Sequence, residues 1–125
     1  MRLVIGTERL TPEDNIALKL DRLRGLDGSI QQAYLAFTEE DVKEIDIESL
    51  WNVRKDAELH NKMMDNFFEQ KWELVQISII ALGGKEKHHS FCGRLNDFYN
   101  SILARIKKYQ NNPPPTDWDG IYYQP

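Results

Sequence analysis

The 125-residue chain carries 16 Lys plus Arg against 20 Asp plus Glu, a net charge of −4, with 41% apolar residues, one Cys, five Pro and seven Gly. One domain is expected at this length, its apolar content excludes wholesale disorder, and its acidic balance excludes a bulk coat on nucleic acid or an anionic membrane. Cys92 alone excludes an internal disulfide, a thiolate zinc cage and a CxxC redox pair, which fits a reducing, cytoplasmic compartment.

The opening MRLVIGTERL has too short an apolar run for a signal peptide, and no apolar window of about 18 residues occurs, so no membrane contact is expected. Leu3, Val4 and Ile5 lean towards a short strand, which needs a partner to satisfy its backbone. Thr11-Pro12-Glu13-Asp14 has the chemistry of a helix start: a hydroxyl cap, proline at the first helical position and acids facing the positive end of the dipole. The spacing of Ile16, Leu20 and Leu23 predicts a helix to about Arg24, ended by Gly25. After Gly28, Ser29 opens a second predicted helix on Ile30, Ala33, Tyr34 and Phe37, with an extended AYLAF as the alternative.

Between Gly28 and Gly83 lie 54 residues without Gly or Pro, which points to helix. Thr38 and Asp41 have capping-box spacing ahead of the acidic EEDVKEIDIE. From Asp46 to Leu82 the pattern is continuously helical. Such a helix would be about 55 Å long, against a diameter of about 35 Å for a compact domain, so it must break or protrude. A break near His60, Asn61 or Asn66 is expected, since Asn competes for backbone hydrogen bonds. The second half, from Met63 through Phe67, Trp72 and Ile79 to Leu82, is apolar on nearly every face and predicts the central buried helix, stopped by Gly83-Gly84. A last helix runs from about Ser90 to Tyr109 on Phe91, Leu95, Phe98, Ile102, Ile106 and Tyr109. The expected fold is mainly α: a three- or four-helix bundle over residues 1–110, allowing a short N-terminal strand, followed by an extended tail over 111–125 that contains three prolines and several aromatic residues.

Four features could carry function. His88 and Cys92 are one helical turn apart and form a weak candidate metal pair. No HExxH or CxxC supports it, so no metal and no cofactor are expected. Arg54 and His60, in RKDAELH, have the spacing of the motif in helical ribonucleases of the HEPN group. That resemblance implies a catalytic pair in which the imidazole accepts the 2′-hydroxyl proton and the guanidinium stabilises the phosphorane. Charge is segregated: residues 38–48 sum to −5 and 83–110 to +4. Arg94, Arg105 and Lys108 on one side of the predicted last helix could meet phosphates, as in a nucleic-acid-binding accessory subunit. Trp118, Tyr122 and Tyr123 in the tail either pack back on the helices or enter a partner's groove.

No phosphate loop, dinucleotide fingerprint or nucleophile elbow is present. The expected function is therefore a non-enzymatic binding or accessory module. It would act through a protein-protein interface, self-association included, because Trp51, Met63, Met64 and Phe68 exceed a single apolar stripe.

Overall fold

In the computed structural model, which describes residues 1–6, 10, 16–83 and 94–123, three strands precede four helices. They are β1 (Arg2–Ile5), β2 (Ala17–Arg24), β3 (Ile30–Ala36), α1 (Glu39–Lys43), α2 (Ile47–Phe68), α3 (Trp72–Gly83) and α4 (Asn96–Asn111). The strands form one antiparallel sheet in the order β1-β3-β2, so β1 finds its partner in β3. The molecule is mixed, with four helices beside a small sheet, where the sequence predicts a helix bundle.

The two helices predicted before residue 38 are the strands β2 and β3. Ile16, Leu18 and Leu20 alternate with Ala17 and Lys19, a period of two that coexists with the helical spacing of Ile16, Leu20 and Leu23. Pairing with β3 selects the first: Leu18 is fully buried, and Leu20 packs against the core. The predicted start at Thr11–Asp14 lies outside the described residues. Gly25 and Gly28 form a hairpin turn, in which the Gly28 N–H donates to the Gly25 carbonyl (3.0 Å) and the Gly25 N–H to that of Ser29 (2.7 Å). Gly28 has φ +83°, a conformation that glycine adopts without strain. The register shifts between Lys19 and Arg22. There Gln32 Nε2 donates to the carbonyls of Leu20 (2.9 Å) and Asp21 (3.2 Å) on the bulged strand.

Thr38 and Asp41 make the expected reciprocal capping box on α1, and Asp46 caps α2 by accepting the Ser49 N–H (2.8 Å). α2 runs unbroken through His60, Asn61 and Asn66, and the chain turns instead at Glu69–Lys71, where Gln70 takes φ 63°. His60 and Asn61 do not disrupt their own helix because their side chains bond to β2. The 22 residues of α2 span about 33 Å, which fits within the domain.

The core is built where three helical stripes meet β2: Val53, Ala57, Met63, Met64, Phe67 and Phe68 of α2, Val75, Ile79 and Leu82 of α3, and Tyr99, Ile102, Ile106 and Tyr109 of α4. Trp72, expected in the central buried helix, and Phe98, on the stripe of the last predicted helix, pack against it partly exposed. No described helix is long and apolar enough to cross a membrane.

Candidate functional site

Arg54 and His60 are not brought together. Six residues turn a helix through about 600°, and α2 is unbroken through this stretch, so Arg54 is exposed while His60 faces inward at 0% exposure. His60 Nε2 lies 2.7 Å from the Lys19 carbonyl, which can only accept, so that nitrogen carries the proton. Nδ1 then accepts from the Tyr99 hydroxyl at 2.8 Å. Burial drives the His60 pKa down to about 4, the bond to Lys19 opposing it only in part. The imidazole joins α2, β2 and α4. Its neighbour Asn61 accepts the Lys19 N–H (2.8 Å) and donates to the Ala17 carbonyl (2.9 Å), closing part of the outer edge of β2.

The predicted basic edge is also divided. Arg94 is an exposed residue in the turn before α4, which starts at Asn96, so Arg94 does not share a helix face with Arg105 and Lys108. Arg105 grips Asp21 at the bulge of β2, through Nη1 to Oδ1 and Nη2 to Oδ2 (3.1 Å). Burial alone would lower the Arg105 pKa, but the hydrogen bond and charge of Asp21 outweigh it and hold the guanidinium above its ordinary value. Arg105 also lies 5.0 Å from the centre of the Tyr122 ring, and Lys108 Nζ donates to the Tyr122 hydroxyl at 2.9 Å. Two of the three cations thus serve contacts within the chain.

The tail packs back on its own domain. Trp118 enters an aromatic cluster with Tyr109 (5.5 Å between centroids), Phe67 (5.7 Å), Phe68 (6.4 Å) and Trp72 (6.4 Å), and its Nε1–H donates to the Ile121 carbonyl (2.7 Å). The Tyr123 N–H donates to the Tyr109 hydroxyl (3.1 Å), and Ile121 bridges to Arg22, so the tail closes a second stretch of the β2 edge. Asp119 pairs with Arg24 at 2.9 Å. Gly120, at φ +88°, lets the tail approach: a Cβ there would stand 2.7 Å from Arg22 Cδ and 2.8 Å from Phe68 Cδ1. Of the tail's candidate residues, only Tyr122 stays largely exposed, at 46%.

His88 and Cys92 lie outside the described residues, among which no group of three potential metal ligands occurs. Met63, Met64 and Phe68, read in the sequence as surplus apolar surface, are core residues, whereas Trp51 is 64% exposed beneath Lys55 (4.9 Å).

A row of exposed apolar side chains lies on α3. α3 points Val75, Ile79 and Leu82 inward, and on its opposite side Leu74, Ile77 and Ile80 are 49%, 64% and 76% exposed. No charged residue occurs from Leu74 to Gly83. The sequence does contain the signal for this: a helix apolar all round needs partners on every side, and among the described elements α3 packs closely against α2 and α4 alone. An open groove of about 430 Å³, lined by Gln70, Lys71, Trp72, Glu73, Leu74 and Gln110, adjoins the N-terminal end of this face.

No protein-family model, curated protein or solved structure matches the chain.

Proposed function

We propose that the chain is a non-enzymatic interaction module that binds a protein partner through the outward face of α3. The observation supporting this is the row Leu74, Ile77 and Ile80, half to three-quarters exposed on a helix segment with no charge to keep it hydrated. Covering each of these side chains removes apolar area worth about 1–2 kcal/mol from water. Aligned on one rigid helix they form a contiguous patch, the usual mark of an interaction surface, whereas single exposed apolar residues are ordinary. A preformed helix face loses little conformational entropy on docking. Neither the ribonuclease nor the nucleic-acid reading gains comparable support, with His60 interior and Arg105 engaged by Asp21.

The test is affinity purification from the native cell of the tagged wild type and of Ile77→Glu, which changes only an exposed position. Stoichiometric partners, further copies of the chain included, should be retained by the wild type and lost by the variant at unchanged circular dichroism. A variant that keeps every association of the wild type removes the proposal.

A further inference from the structure

A cleft away from the α3 face carries unused groups of both charges. It lies between α2 and the first residues of β2, holds about 290 Å³ and is lined by Ile16, Ala17, Arg54, Ala57, Glu58 and Asn61. The four helical residues fall at positions i, i+3, i+4 and i+7, so they share one face of α2. Asn61 closes one end, its amide engaged by the Ala17 carbonyl and the Lys19 N–H. Ile16 and Ala57 are buried and give the cleft an apolar floor.

Three polar groups in this cleft are left over. The Ala17 carbonyl faces Asn61, away from β3, and in a strand a residue's N–H points to the same side as its carbonyl. The Ala17 N–H therefore faces the cleft, and no acceptor for it occurs among the described residues. Arg54 and Glu58 stand one turn apart, with Cβ atoms about 6 Å from each other. Their side chains make no ion pair or hydrogen bond with each other or with any other described residue. Arg ahead of Glu is the weaker order for a pair along a helix, so a ligand has little to displace.

Charge then selects the ligand. A lone anion on Arg54 would sit beside Glu58, and a lone cation on Glu58 beside Arg54, each repelled by the second side chain. A zwitterion satisfies both. The one-turn spacing requires its charges to be close together, as they are where a carboxylate and an ammonium share one carbon. A guanidinium and a backbone N–H suit the two oxygens of the carboxylate, and Glu58 suits the ammonium. The floor takes an aliphatic side chain, and the volume, at the lower limit of small-molecule sites, restricts it to a small one.

We infer that this cleft binds a free α-amino acid with a small aliphatic side chain, its carboxylate on Arg54 and the Ala17 N–H and its ammonium on Glu58. The site shares no residue with the outward face of α3, so the two readings stand or fall separately.

The experiment titrates L-valine, to about 50 mM, into the isotope-labelled full chain and follows the backbone amides by NMR. The Ala17 amide should shift saturably, with a dissociation constant on the order of 1 mM. Two analogues test the need for both charges: 3-methylbutanoate lacks the ammonium and isobutylamine lacks the carboxylate. Each should bind at least about tenfold more weakly than valine. Arg54→Gln and Glu58→Gln, both at exposed positions, should each weaken valine binding at least about tenfold at unchanged circular dichroism. An Ala17 amide that does not shift saturably, a smaller loss in either variant, or either analogue binding as tightly as valine overturns the inference.

Discussion

Asn61 pairs with Lys19 as a neighbouring strand would: its Oδ1 accepts the Lys19 N–H at 2.8 Å while its Nδ2 donates to the Ala17 carbonyl at 2.9 Å. One amide side chain on a helix thereby substitutes for a peptide unit on the open edge of β2. Replacing it by Ala leaves a donor and an acceptor on a part-buried edge without their partners, at a cost of about 1–3 kcal/mol. Asn61→Asp keeps the acceptor but sets a carboxylate against the Ala17 carbonyl, so it should be destabilising as well. Urea unfolding of the three proteins measures this, and a loss below about 0.5 kcal/mol in Asn61→Ala contradicts the edge-closing role.

His60 makes stability depend on pH. Its folded pKa, about 4, lies below the ordinary 6.5 because burial disfavours the imidazolium. The unfolded chain therefore binds the proton first. The contribution of neutral His60 is complete above about pH 7, declines by about 1.4 kcal/mol per pH unit as pH falls below 6.5, and is exhausted near pH 4 after a loss of about 3 kcal/mol. Imidazole titration by NMR in the folded protein should place His60 near 4. A value near 6.5 would falsify the buried, neutral assignment.

Much of the helical half is legible locally, and the sheet is not. Thr38 with Asp41, and the stripe Ile102, Ile106 and Tyr109, depend on neighbours within one or two turns, and each occurs as its spacing predicts. Ile16, Leu18, Leu20 and Leu23 satisfy both a helical and a strand period, and only pairing with a segment that itself needs β1 decides between them. The roles of His60, Asn61 and Arg105 are equally nonlocal, since their partners on β2 lie 41, 42 and 84 residues away. The outward face of α3 was hidden for a different reason. Its apolar character is evident in the sequence, but which side the domain leaves open depends on where α2 and α4 stand.

The tail should behave as part of the core. Trp118 touches four aromatic rings contributed by α2, α3 and α4. Trp118→Ala should cost about 3–5 kcal/mol. Gly120→Ala forces a Cβ against Arg22 and Phe68 at a positive φ, and should cost about 1–3 kcal/mol without removing any contact. Truncation before Pro113 that leaves the melting temperature unchanged would show the tail to be an appendage.

Asp21 and Arg105 tie α4 to the bulge of β2, and their coupling is measurable. The pair is bidentate and partly shielded, with side chains 33% and 17% exposed. A double-mutant cycle on Asp21→Asn and Arg105→Gln should give a coupling of about 1–2 kcal/mol, weakly dependent on salt. Arg105→Lys cannot reproduce the two-pronged geometry and should fall between wild type and Arg105→Gln. Zero coupling would mean that α4 is positioned by its apolar stripe alone.

Two isoleucines on the same helix separate folding from association. Ile79 is 8% exposed and Ile77 64%, although both lie within one turn of an uncharged segment. Ile79→Glu forces a carboxylate among buried core residues without a partner and should unfold the domain or cost more than about 4 kcal/mol. Ile77→Glu should leave monomer stability within about 0.5 kcal/mol of wild type, because its side chain is already hydrated. Denaturant midpoints at low micromolar concentration isolate the monomer. Equal losses in the two variants at low concentration would place Ile77 in the interior and leave α3 with no face to offer.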